Sequence, residues 1–229
     1  MKLGIMQPYF LPYIGYWQLI KAVDKYVVYD DVNFIKGGWI NRNNFLVQGN
    51  AKLFTISLDG ASSNKLINET GIKDDFKNFM KMLQINYAKA PCFKEIMKLI
   101  EKIVCFEKSD LGRFLFNQIK VICDYLGIET DLILSSMLCK DNTLKGKDKV
   151  IEICKLLGAS EYYNAIGGQE LYDKSEFERN GIKLSFLKTN MTPYKQLKND
   201  FVGGLSLLDV LMFNPVEDVN RMLDDFELV

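Results

Sequence analysis

Two adjacent carboxylates, Asp30 and Asp31, head the residues of this chain that could do chemistry. Asn33, Lys36, Trp39, Asn41, Arg42 and Asn43 follow within a dozen positions. Carboxylates can bind sugar hydroxyls, chelate Mg²⁺ or take a proton from an attacking amine. A lysine and an arginine can pair with a diphosphate. The competing reading of the same stretch is a turn dressed with surface ion pairs. Successive strand side chains point to opposite faces, so only one of the two aspartates is expected to face a site.

Three further stretches collect polar and aromatic groups that a fold alone does not require. Gln7, Tyr9, Tyr13 and Tyr16 lie in a Pro- and aromatic-rich run after the first apolar segment. Aromatic rings there can stack on a base or sugar, and backbone N–H groups at a helix start can hold a phosphate. Lys65 sits in the polar run 62–67, which reads equally as a solvated loop or a phosphate contact. Asn164, Gly167 and Gly168 combine a strand end, a glycine pair and a helix start, where a ligand could approach the backbone closely. The glycine pattern there is not G-x-G-x-x-G, so it gives no support to a dinucleotide site.

Composition removes several chemistries. The chain has no histidine, which excludes a Ser-His-Asp or Cys-His centre and any imidazole metal site. Acid–base work falls to Asp, Glu, Lys, Tyr, Cys or the substrate. Basic and acidic residues balance at 29 each, so no basic surface for nucleic acid is expected. The five cysteines are widely spaced and form no C-x-x-C pair, so they read as buried small hydrophobes in a reducing compartment. The N-terminal apolar run is broken by Gln7, Pro8 and Pro12 and is not a signal peptide. No stretch approaches the roughly 20 apolar residues of a membrane span. A cytoplasmic protein is expected.

The elements that must position these groups follow from periodicity. Lys2–Gln7 and Tyr26–Tyr29 read as strands around a helix at Ile14–Val23, a βαβ unit with two parallel strands. Trp39–Val47 and Leu53–Leu58 read as strands of a hairpin turning at Gln48–Gly49–Asn50. Residues 60–71 read as a loop. Three amphipathic helices occupy about 74–127, the last with Ser109 as N-cap and Gly127 after its end. Strands are expected at Asp131–Ser135, Tyr162–Ile166 and Ile182–Leu187. Helices are expected at Asp148–Leu157, Gln169–Arg179 and Leu205–Phe213, with Asn214–Pro215 opening a last one. The expectation is a single α/β domain over residues 1–229. Its sheet is mostly parallel, Rossmann-like and flanked by helices, and a helical segment interrupts the middle of the chain.

The runs MQPYFLPYIGYWQLI, YVVYDDVNFIKGGWINRN, ICKLLGASEYYNAIGGQELYDKSEF and SLLDVLMFN resemble the WbqC-like protein family along nearly the whole chain. Gly37 departs from the pattern, where a basic residue is expected, so one phosphate contact is weaker or supplied elsewhere. Family members resemble products of gene clusters for O-antigen and related polysaccharides. The resemblance implies transfer of glycine, or another amino acid or acyl group, to the amine of a nucleotide-linked amino sugar. On that reading Asp30 or Asp31 orients or deprotonates the amine, and Lys36 and Arg42 hold the diphosphate. Tyr9, Tyr13 and Trp39 line the pocket, and Asn41, Asn43 and Asn164 bind hydroxyls. ATP or an activated acyl donor, and Mg²⁺, are compatible cofactors. Tyr13–Ile14–Gly15–Tyr16 also stands where nucleotidyl-transferring α/β folds carry H-x-G-H, a likeness of position only. Two alternatives stay open: a glycosyltransferase of the same pathway using aspartate and a metal, and a non-catalytic sugar-nucleotide binder. Oligomeric state is not legible.

Overall fold

The computed structural model describes residues 1–197 and 200–229. The strand–helix–strand unit at the N-terminus forms as its periodicity requires. β1 (Lys2–Met6), α1 (Ile14–Lys21) and β2 (Lys25–Val28) give two parallel strands, with Leu3 beside Lys25 and Met6 beside Val28. A hairpin follows, β3 (Arg42–Val47) with β4 (Asn50–Thr55), then a short ladder of β5 (Leu58–Asp59) with β6 (Gly71–Ile72). The mid-chain helices are α2 (Lys77–Tyr87), α3 (Phe93–Val104) and α4 (Leu111–Leu126). The chain then alternates β7 (Asp131–Leu134), α5 (Gly146–Leu156), β8 (Glu161–Ala165), α6 (Lys174–Arg179) and β9 (Lys183–Thr189). It ends with α7 (Leu207–Phe213), α8 (Val216–Leu223) and β10 (Phe226–Leu228).

The main sheet runs β10-β9-β8-β1-β2-β7, parallel throughout except for β10 at one edge. Counted in chain order, its parallel strands stand third, second, first, fourth, fifth, the doubly wound arrangement. The order reverses between β1 and β8, and the strands' carboxyl ends diverge into a crevice there.

Alternate strand residues fill two cores, one on each face. Leu3, Ile5, Val27 and Tyr162 pack with Val150, Ile153 and Phe177 from α5 and α6. Tyr26 and Val28 face the larger core of α1, α7, α8 and the three mid-chain helices. Gly4 makes room for that second face, since a Cβ there would stand 2.8 Å from Cδ2 of Tyr26.

Several boundaries differ from the sequence expectation for local reasons. β3 begins at Arg42, not Trp39, because residues 35–41 turn around Gly37, whose φ is +73°. Asp110, not Ser109, caps α4 by accepting a hydrogen bond from the Arg113 N–H, while Gly127 ends it in the left-handed region as expected. The helix expected at Gln169–Arg179 is a short 3-10 turn at Ile166–Glu170, then α6, restarted by the Asp173 cap. Pro215, not Asn214, holds the N-cap position of α8, and the Asn214 side chain closes α7 instead by donating to the Val210 carbonyl. Cys123 and Cys154 are buried as expected, but Cys105 and Cys139 are exposed.

Candidate functional site

A cavity of about 670 Å³ opens at the carboxyl ends of β1 and β8, where the strand order reverses. In open α/β sheets this crevice is where ligands bind, and the volume suits a small-molecule site. Gln7, Tyr9 and Tyr13 enter from the loop after β1, Tyr29 from the end of β2, Trp39 and Ile40 from the turn before β3. Asn164, Gly167, Gly168 and Tyr172 close it from β8 and the turn beyond. Among the described residues, those lining this cavity carry no formal charge. Burial, followed by the neighbouring Tyr13, pushes the Tyr9 phenol well above its ordinary value, and burial likewise raises Tyr29 and Tyr172. These phenols therefore stay neutral and act as walls and hydrogen-bonding groups.

Hydrogen bonds fix the aromatic loop. The Phe10 N–H donates to the Ile40 carbonyl at 3.0 Å, tying the loop to the turn opposite. Asn43 Nδ2 donates to the carbonyls of Phe10 (3.2 Å) and Leu11 (2.5 Å). Gln118, wholly buried on α4, accepts from the Leu11 N–H and donates to the Tyr9 carbonyl. Leu11 is held in the left-handed region at φ 43°, a conformation costly for a branched residue and sustained by these five bonds. Gly15 lets the Tyr13 ring fold back over α1, since a Cβ there would meet the Tyr13 hydroxyl at 2.4 Å.

The two aspartates separate. Asp30 is 1 % exposed, and its carboxylate accepts from the Ser136 N–H (2.9 Å), the Ser136 hydroxyl (2.6 Å) and Asn68 Nδ2 (3.4 Å). It clamps the segment after β7 and reaches neither cavity. Asp31 turns to a second cavity of about 740 Å³, which shares Tyr29 with the first. There Asp31 Oδ2 pairs with Lys140 Nζ at 2.7 Å and Lys149 Nζ at 3.2 Å. Burial opposes ionisation of Asp31, but Lys140, the adjacent Ser135 hydroxyl and Lys149 outweigh it and hold its carboxyl below the usual range.

The model of the WbqC-like protein family matches residues 7–221. The chain belongs to the WbqC-like protein family. An uncharacterized protein of Mycobacterium tuberculosis is 31 % identical over 222 residues, 93 % of each chain. No solved structure matches significantly.

The matched span includes the second cavity of this WbqC-like chain and all of the first except Ile5 and Met6. Gln7, Tyr9, Tyr13, Trp39, Asn43, Asn164, Gly167 and Gly168 line the first cavity; Asp31 and Asn33 line the second. Asn43 is nevertheless spent on the loop carbonyls, and Asn33 Nδ2 on the Ser63 carbonyl. Tyr16 is a correction: it is 1 % exposed and packed edge-on against Tyr9, Trp17 and Tyr26, so it belongs to the core. The positional likeness to H-x-G-H therefore loses its second member. Asn41 is also structural, donating to the Ile56 carbonyl at 2.8 Å. Asp30 is corrected from catalytic candidate to clamp. Lys36 and Lys65 are exposed and line neither cavity. Arg42 sits beside the mouth, its guanidinium 5.9 Å from the Trp39 ring, with Nε buried and unbonded.

Tyr29, Lys140, Lys145 and Lys149 are the functional candidates that sequence reasoning missed. Tyr29 had a signal, being the residue just past a strand's carboxyl end. Lys149 had a weaker one, a cation adjoining Val150 on an otherwise apolar helix face. Lys140 had none.

Proposed function

We propose that the protein binds a nucleotide-linked amino sugar in the first cavity and transfers an acyl or aminoacyl group to its amine, in the synthesis of O-antigen or a related surface polysaccharide. The observation that carries the binding half is the aromatic cavity at the strand-order reversal. Tyr9, Tyr13 and Trp39 supply faces for a base or sugar ring. Asn164 Nδ2 and the Gly167–Gly168 backbone supply neutral hydrogen-bonding groups. Arg42, beside the mouth and without a carboxylate partner among the described residues, suits the diphosphate. The transfer half and the pathway rest on family resemblance. In the step itself the sugar nitrogen forms a C–N bond to the acyl carbon. The bond from that carbon to the carrier breaks, the carrier leaves with the electron pair, and the nitrogen gives up a proton. A nucleotide-linked substrate goes with a cytoplasmic site of action.

The test is direct. The protein is incubated with a dTDP-linked 4-amino-4,6-dideoxy sugar, ATP and glycine, or with an activated glycyl donor, and products are read by mass. A new amide mass supports transfer; its absence with every donor counts against it. Asp30 and Asp31 do not converge, so the metal-dependent glycosyltransferase reading has no paired carboxylate site to use. The uncharged lining of the first cavity favours one alternative, sugar-nucleotide binding without turnover. Saturable binding of the dTDP-sugar with no product under any donor would establish that alternative instead.

A further inference from the structure

We propose that the second cavity is a separate binding site for an oxoanion, a phosphate or carboxylate, on a ligand that carries a hydroxyl or amine close to its anionic group. The proposal stands whatever fills the first cavity.

The first observation is a charge imbalance. Lys140, Lys149 and Asp31 have side chains 1 %, 7 % and 9 % exposed, and the two ammonium groups share one carboxylate oxygen. Their other partners are neutral: the Ser135 carbonyl for Lys140, the Asp31 carbonyl for Lys149, and the Tyr29 ring 5.5 Å from Lys149. Buried charge is costly unless it is paired. This cluster is short of one negative charge, and Asp31 and Lys149 are its cavity-lining members.

The second observation is where that lysine stands. Lys145, Gly146 and Lys149 form one wall of the cavity at the start of α5. Lys145 holds the N-cap position with no capping side chain, so the first-turn amides of this 11-residue helix have no side-chain acceptor. Unserved amides at a helix start and two lysines on the same wall favour an anion at one place.

The third observation concerns hydrogen-bond acceptors. Asn68 Oδ1 is buried without a hydrogen bond and its residue lines this cavity; Asp31 Oδ1 is unbonded as well, but the Ser135 hydroxyl stands beside it as a donor. The orientation of Asn68 is fixed, because its Nδ2 donates to Asp30 and a flip would set two oxygens against each other. A buried acceptor without a donor carries a desolvation cost. A hydroxyl or amine on the ligand, beside its anion, relieves it.

Thermal-shift and calorimetric titrations test this with four probes: inorganic phosphate, phosphoethanolamine, acetate and glycine. Ionic strength is matched with sodium chloride. The phosphate and carboxylate arms distinguish the two sources of the oxoanion. At least one oxoanion should bind saturably, and the amine-bearing member of its pair should bind more tightly than the bare ion. Lys149→Met leaves a matched Asp31–Lys140 pair. It should weaken binding about tenfold or more, without lowering Tm at low salt. Lys145→Ala, at the exposed rim, should weaken binding several-fold. No binding beyond the chloride control, or full binding retained in Lys149→Met, overturns the proposal. A Tm drop in Lys149→Met with ligand affinity unchanged marks the lysine as structural and also overturns it. Equal affinity for bare and amine-bearing ions removes the requirement for a donor.

Discussion

The amide nitrogen of Asn164 lies directly over Gly168: a Cβ on that glycine would stand 2.5 Å from it. Asn164 Oδ1 accepts from the Ala165 N–H at 2.8 Å, so the amide is oriented and its nitrogen lies at the cavity wall. A methyl group at position 168 must push the amide aside or break that bond. Gly168→Ala should therefore cost about 1 kcal/mol of stability and weaken binding of a dTDP-sugar much more than its stability loss suggests. Gly167→Ala is the control, since nothing lies within 4 Å of a Cβ there. Equal effects of the two alanines in a calorimetric titration would remove Asn164 from the binding surface.

Asp30 and Asp31 should give different losses. Asp30→Ala removes the buried carboxylate that accepts from the Ser136 N–H and hydroxyl, and should lower unfolding free energy by about 1–3 kcal/mol. Ligand affinity and turnover per folded molecule should stay close to wild type. Asp31→Ala leaves two buried lysines without their carboxylate and should cost about 3–5 kcal/mol. Urea unfolding gives both numbers. A stable Asp30→Ala protein that has lost activity would return that residue to the chemistry.

The sheet was legible from the sequence because its signals are local. Apolar runs such as Leu3–Met6 and Tyr26–Val28 are bounded by proline, glycine and acidic residues, and their burial on both faces leaves little ambiguity. β10 was not legible, because three residues at the end of the chain carry no periodicity and pair only with β9. The site was partly legible. The rule that ligands meet strand carboxyl ends finds Gln7, Tyr9 and Asn164, and it reaches Tyr29 as well. It cannot sort Tyr13 from Tyr16, because which tyrosine faces the core depends on how α1 meets Tyr26 across the sheet. Nor can it reveal that Asn43 is consumed by the loop carbonyls, or that Lys140 meets Asp31, 109 positions away.

Asp209 should give the protein a measurable pH signature. It is fully buried and accepts from the hydroxyls of Tyr87 (2.8 Å) and Tyr194 (2.6 Å) and from Gln196 Nε2 (2.6 Å). Burial outweighs these three bonds and raises its carboxyl above the usual range. In the unfolded chain the same group titrates near ~3.9. Between those two values the folded protein binds the extra proton, so stability falls as pH rises through the window and is flat on either side. Asp209→Asn lacks this titration. Its stability relative to wild type should therefore improve from about pH 4 upward, by at most ~1.4 kcal/mol per pH unit, until the folded group has ionised. A difference that stays constant between pH 4 and 7 in urea titrations would mean that Asp209 keeps an ordinary pKa.

Tyr16 and Trp39 divide the aromatic residues between core and site. The Tyr16 hydroxyl is buried without a hydrogen bond, and an unsatisfied buried hydroxyl costs about 1–3 kcal/mol. Tyr16→Phe removes it while keeping the ring among Tyr9, Trp17 and Tyr26, so the variant should match or exceed wild-type stability and bind ligand unchanged. Trp39 is 53 % exposed at the cavity mouth, with the Arg42 guanidinium beside its ring. Trp39→Ala loses little packing, so Tm should hardly move. It removes both a stacking face and the surface that orients Arg42, and dTDP-sugar affinity should fall about tenfold or more. Fluorescence quenching of this half-exposed tryptophan on ligand addition is an independent readout, because the second tryptophan, Trp17, is shut in the core. Unchanged Trp39 emission at saturating dTDP-sugar, together with wild-type affinity in Trp39→Ala, would place the ligand elsewhere on the protein.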